Sequence, residues 1–218
     1  MAGRFLRQGA WLAATVAAGL ATVGSAAPAP AGTFSAGGLT FSDELGGFVL
    51  LGVSGNGTLD DPFVVVEEVK DGAPAILVIR GLSVEYGNRI GSHHLAGFAL
   101  TKIAINRTGN TWSRYEVELR EVPHFQSPYG DGLSFGQGGQ IGRPFVATGF
   151  AGNREIDEPY DSVVFDGGAI APGDSATFAV VVTDTTPNSP VFIVQQPMQE
   201  VARTSVPAQL AAASYGPK

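Results

Sequence analysis

The chain has 218 residues, a formal charge of −7, 30 glycines, 14 prolines and no cysteine. An acidic chain with scattered Lys and Arg lacks the positive patch that nucleic acid requires, and it does not favour docking on anionic lipid. The missing cysteines exclude disulfides and thiolate metal sites, while the glycine and proline content fits a turn-rich all-β protein better than a helical one.

Residues 1–26 read as a secretory signal peptide. Arg4 and Arg7 form a charged start, Ala10 to Val23 an apolar run, and Gly24-Ser25-Ala26 a small-residue cleavage site. The run is too short to span a bilayer comfortably, and no later segment is longer and as apolar. The expectation is a secreted or periplasmic mature chain, cleaved near Ala26 and not inserted in a membrane. Cleavage takes the formal charge from −7 to −9, because Arg4 and Arg7 are the only charged side chains removed. The roughly 190 remaining residues suffice for one core and one domain. No block repeats at a fixed period, which argues against a solenoid.

Residues 27–46 are small, polar and Gly-rich, and read as a flexible lead with one short strand at "LTF". A β domain over 47–198 follows. Its apolar bursts are "GFVLLGV", "FVVVEEV", "AILVIRGLSVEY", "GFALTKIAI", "TWSRYEVELREV", "PFVATGF", "DSVVF", "ATFAVVVTD" and "PVFIVQQ". Each is of strand length, rich in Val, Ile, Phe or Tyr, and bounded by turn residues. This spacing predicts an antiparallel β-sandwich or barrel. Residues 199–218 read as a C-terminal tail.

The clearest strand is "RYEVELRE". Tyr115, Val117 and Leu119 fall on one face, and Arg114, Glu116, Glu118 and Arg120 on the other, so Glu116 and Glu118 are expected to face water. Its neighbour "FALTKIAIN" changes phase, with Phe98 and Leu100 on one parity and Ile103 and Ile105 on the other. A bulge near Thr101-Lys102 would bring both pairs onto the core. Asn106, Gly109 and Asn110 then supply the turn between the two strands. After Val122 the alternation stops, and the Gly-rich stretch 123–162 reads as an irregular, surface-exposed loop insertion.

The segments "INRTGNTWSRYEVEL" and "GGAIAPGDSATFAVVVTD" resemble secreted bacterial immunoglobulin-like modules of the cell-adhesion-related type. Those modules pair an N-x-x-G-N turn with a P-G-[DE] turn that leads, four residues on, to a Phe in a late strand. The matching positions here are Asn106, Gly109, Asn110, Pro172, Gly173, Asp174 and Phe178. The resemblance implies an immunoglobulin-like sandwich and an extracellular, often adhesive, setting. It supplies no catalytic residues, and 123–162 is longer than the corresponding region of such modules.

Several residues invite a chemical reading. Gly132 to Gly136 fits G-x-S-x-G with Ser134 as the nucleophile. That motif requires a strand–elbow–helix context and the chain order Ser, acid, His. His93, His94 and His124 all precede Ser134, and no helical periodicity follows it, so Ser134 reads as a loop residue. Asp131 resembles one turn of a calcium repeat, but stacked copies are needed and only one partial copy exists. Glu155, Asp157, Glu158, Asp161 and Asp166 form an acidic group. Calcium held by Glu155, Asp157, Glu158 and Asp161 and a solvated loop are both open readings of it. The adjacent His93 and His94 would point to opposite faces of a strand, which does not suit a zinc pair. Phe125, Tyr129, Phe135, Phe145, Phe150 and Tyr160 lie in the insertion. They either plug the open end of the sandwich or grip a sugar or a protein partner.

The expected protein is thus a non-enzymatic, secreted β-sandwich, a structural or adhesive matrix component with an unidentified protein or polysaccharide partner. The alternative is a carbohydrate- or small-ligand-binding module, calcium being the one cofactor the sequence leaves open.

Overall fold

A computed structural model describes residues 31–128, 130–136, 145–156 and 159–199. The expected signal peptide, Tyr129, Asp157, Glu158 and all of the tail but Gln199 lie outside them.

The short strand expected at "LTF" is present, and the described part of the lead is more ordered than expected. β1 (Thr33–Ala36) and β2 (Leu39–Ser42) pair as an antiparallel hairpin across Gly37-Gly38. Both glycines have positive φ, 50° and 86°, as a tight two-residue hairpin turn requires. A Cβ on Gly37 would also meet the Phe63 ring at 2.8 Å. The alternation of Leu39, Thr40 and Phe41 sends Leu39 and Phe41 into the core, and their burial holds the segment down. Asp43 then ties the hairpin to the next strand, accepting from Gly32 N at 2.6 Å and from Leu50 N at 2.8 Å.

The remaining strands are β3 (Phe48–Ser54), β4 (Phe63–Val69), β5 (Ala75–Arg80), β6 (Ala96–Asn106), β7 (Arg114–Arg120) and β8 (Leu133–Phe135). β9 (Val146–Ala147), β10 (Gly152–Ile156), β11 (Ser162–Asp166), β12 (Ser175–Asp184) and β13 (Val191–Met198) complete the set. One sheet runs β1-β2-β5-β13-β7-β11-β10 and the other β3-β4-β6-β12-β8, with β9 also paired to β12. The pairings are antiparallel except that of β4 with β6. The two sheets bury their inner faces against each other, and the described residues contain no helix. The described residues form an all-β sandwich.

The inner-face assignment of β7 holds: Tyr115, Val117 and Leu119 are fully buried. Glu118 departs from expectation. It is only 6% exposed, because Arg120 grips it with two hydrogen bonds, Nε to Oε1 at 2.8 Å and Nη2 to Oε2 at 2.7 Å. The expected bulge in β6 is absent. Its register with β12 runs unbroken from Ser175↔Ile105 to Asp184↔Ala96. Ile103 and Ile105 therefore stay half-buried on the outer face, while Lys102 points into the core with no exposed surface.

The described part of 123–162 is not wholly irregular, because it carries three short strands. β8 and β9 both pair with β12, and β10 pairs with β11, so this stretch closes one edge of each sheet. Short strands of this kind carry little pattern of their own and are held by the longer strands beside them. The two turn motifs behind the family resemblance meet in space. Asn106 N donates to Asp174 O at 2.8 Å, and Gly173 N donates to Asn106 O at 2.7 Å. The buried Asn106 side chain donates to the carbonyls of Asn110 and Ile170 and accepts from Thr108 N and Oγ1.

Candidate functional site

Strict alternation decides the chemistry of the interior. On β4 the inward positions are Phe63, Val65, Glu67 and Val69; on β6 they include Phe98, Leu100, Lys102 and Ala104; on β13 they are Val191, Ile193 and Gln195. Three polar side chains from three strands thus reach one place between the sheets. Lys102 Nζ donates to Glu67 Oε1 at 2.6 Å and to Gln195 Oε1 at 2.5 Å. Gln195 Nε2 donates to Glu67 Oε2 at 3.0 Å, and the Tyr115 hydroxyl donates to Gln195 Oε1 at 2.8 Å. All four residues are fully buried.

A buried charge is costly unless it is paired and hydrogen-bonded, and this arrangement supplies both conditions. Burial pushes the Lys102 ammonium below its ordinary pKa, and the facing Glu67 carboxylate opposes that shift. Burial, reinforced by the Glu67 charge, holds the Tyr115 phenol well above its ordinary value and so protonated. Tyr115 also stacks on Phe178 at 4.4 Å between ring centroids, which fixes its hydroxyl. The result is an amine, a carboxamide and a proton-accepting carboxylate held together in a dry interior. This group was not foreseen from the sequence, although Glu67 shares the parity of Phe63 and Val65, and Gln195 that of Val191 and Ile193.

A second feature lies on the outer face of the β7-containing sheet. A cleft of about 370 Å³ is lined by Glu116, Glu118, Arg120, His124, Tyr160 and Gln196, with Ile76 and Val194 also contributing. Tyr160 is half-buried and, of the described aromatics singled out from the sequence, is the one placed in this lining. Phe125 is 72% exposed and outside it. Phe135 and Phe145 are not exposed binding rings. They meet edge to face at 5.9 Å inside the core, and Phe150 stacks on Phe178 at 5.9 Å. These three pack against the core, each against another ring.

The G-x-S-x-G segment is also relocated. Ser134 lies within strand β8, not in a loop, and shares a depression of about 230 Å³ with His94 and Asp131. His94 is brought there by a turn organised on Asn88, whose Oδ1 accepts from Ile90 N and Ser92 N and whose Nδ2 donates to His94 O. Burial, then the neighbouring His93, lowers the His94 pKa. Among the described residues no hydrogen bond joins Ser134 Oγ to His94, and a strand is not the strained elbow that presents a nucleophile. Asp131 instead caps its own turn, accepting from Leu133 N at 3.0 Å. Of the acidic group, Glu155 lies on β10, Asp161 is buried just before β11, and Asp166 ends β11. Among the described residues no three His, Asp or Glu side chains form a metal-holding group.

A different set of carboxylates has a measurable consequence. Burial, then the charges of Asp131 and Asp184, raises the Glu121 pKa. Burial, with Asp131 adding to it, raises that of Asp184, whose Oδ1 accepts from Thr186 N at 2.8 Å. Such groups hold their protons more tightly in the folded chain than in the unfolded one. Their contribution is fully present below the ordinary carboxylate range and is lost as pH rises through the raised folded values. Asp184→Asn, which retains an acceptor for Thr186, is therefore expected to stabilise the protein at neutral pH. That gain should vanish in acid, as read by urea denaturation across the pH range.

Compared with known proteins, the chain matches no protein-family model, no curated protein and no solved structure.

Proposed function

We propose that this chain is an exported, non-enzymatic β-sandwich of the immunoglobulin-like type, working outside the cytoplasm as a structural or adhesive component. The observation that carries this reading is the enclosed brace of Lys102, Glu67, Gln195 and Tyr115. It commits these four buried polar side chains to joining the two sheets, and none of the four has exposed surface. The immunoglobulin-like part is supported by the junction of the Asn106 and Gly173-Asp174 turns. Export is supported by Arg4, Arg7 and the apolar run that follows them. Cell fractionation with N-terminal sequencing tests it. The expected result is a chain beginning near Ala27 outside the cytoplasm; one that begins at Met1 and stays in the cytoplasm rejects export. Concentration-dependent self-assembly without added ligand is the expected behaviour of an adhesive component.

The polar cleft favours a second reading, a binding module for a saccharide or another small polar ligand. A cleft with carboxylates, a guanidinium and one aromatic ring offers the hydrogen bonds and the ring face that sugars use. On this reading, retention on a polysaccharide column is lost in Tyr160→Ala while the fold, followed by circular dichroism, is kept. Retention unchanged by that substitution rejects the cleft as the site.

A further inference from the structure

We propose that Lys102 and Gln195 react inside the folded core to form an isopeptide bond, a covalent cross-link between the two sheets, with Glu67 as the proton-transfer catalyst. Lys102 belongs to β6 of one sheet and Gln195 to β13 of the other, 93 residues apart in the chain. The bond would therefore turn the sandwich interface into a closed covalent loop. The inference rests on the geometry of the core and not on the export or adhesion reading.

Each requirement of amide exchange has a group in place. The Lys102 nitrogen is the nucleophile, and its short contact to Gln195 Oε1, 2.5 Å, places it against the carboxamide. The dry surroundings favour the uncharged amine that the attack needs. Glu67 bridges the nitrogen that attacks and the nitrogen that leaves, touching Lys102 Nζ at 2.6 Å and Gln195 Nε2 at 3.0 Å. The Tyr115 hydroxyl, 2.8 Å from Gln195 Oε1, donates to the oxygen on which negative charge develops. Holding both reactants in one cage supplies effective molarities on the order of 10⁵–10⁸ M, which an unassisted amine and amide in water lack.

The step balances without a co-reactant. Glu67 takes a proton from the Lys102 ammonium, and the amine attacks Gln195 Cδ, placing the electron pair of the carbonyl on Oε1. The carbonyl re-forms as the Cδ–Nε2 bond breaks, and Glu67 delivers protons to the departing nitrogen. A lysine ammonium and a primary carboxamide become a secondary amide and an ammonium ion, and nothing is oxidised or reduced. Glu67 ends as the carboxylate it was.

Mass spectrometry of the purified full chain, unfolded after purification, tests the proposal. The expected intact mass lies below that of the sequence from the observed N-terminus by one ammonia. Trypsin should leave the Lys102–Ile103 bond uncut and yield a branched peptide joining the Lys102 and Gln195 segments. The branched peptide is decisive, because a succinimide at Asn56-Gly57 would lose the same mass without joining anything. Lys102→Met should abolish it. Glu67→Gln should abolish or greatly slow it, and Tyr115→Phe, which keeps the stacked ring, should slow its appearance after refolding. A wild-type chain of full sequence mass, cut by trypsin after Lys102 and giving no branched peptide, overturns the proposal whatever the variants do. An unslowed cross-link in Glu67→Gln overturns the assignment of Glu67.

Discussion

Glu67→Leu is expected to lower the unfolding free energy by about 3–5 kcal/mol, the usual cost of leaving one member of a buried ion pair without its partner. The loss is larger where the Lys102–Gln195 bond has formed, because the variant cannot make it. Lys102 and Glu67 have fully buried side chains in contact at 2.6 Å, so water cannot replace the missing carboxylate. Adding Lys102→Met should recover much of the part that comes from the unpaired charge, and none of the part that comes from the missing cross-link. No charge is then buried, while Tyr115 and Gln195 still satisfy each other. Urea denaturation of the single and double variants reads the difference. A single variant as stable as wild type would show that Lys102 is not enclosed as described. The two more exposed pairs, Arg80–Glu44 and Arg107–Glu68, make a useful contrast, since pairs that water reaches contribute roughly 0–1 kcal/mol.

Phe178→Ala should cost about 3–5 kcal/mol, the range for truncating a buried aromatic. Phe178 is where the core converges: its ring lies 4.4 Å from that of Tyr115, 5.0 Å from Phe165 and 5.9 Å from Phe150. Tyr115 belongs to the opposite sheet and Phe150 to the stretch after β9, so one truncation loosens three contacts that chain separation makes independent. The exposed Phe125 is the control: Phe125→Ala should stay within roughly 0.5 kcal/mol. Equal effects at the two positions would mean that the aromatics had been assigned to the wrong sides of the molecule. Thermal and chemical denaturation of both variants decide it.

The all-β class and the inner face of β7 were legible because they depend on short-range pattern. Tyr115, Val117 and Leu119 alternate with charged residues, and only a strand sorts those two sets onto different faces. The Asn106 turn was legible for a similar reason, since its capping partners lie within a few residues. The tertiary structure alone decided the fate of Lys102. Read by itself, β6 offers a choice between a bulge that expels the lysine and a regular strand that buries it. Elementary electrostatics favours the bulge. The partners that reverse this preference, Glu67 and Gln195, lie 35 and 93 residues away in the chain, and neither strand announces that it will face β6. Phe125 and Phe135 pose the same problem, one exposed and the other enclosed, though both sit in one Gly-rich stretch. β8, β9 and β10 exist because β12 and β11 present edges to them. Local alternation thus determined which side chains share a face, whereas burial and charge compensation are set by distant strands that only the folded chain brings together.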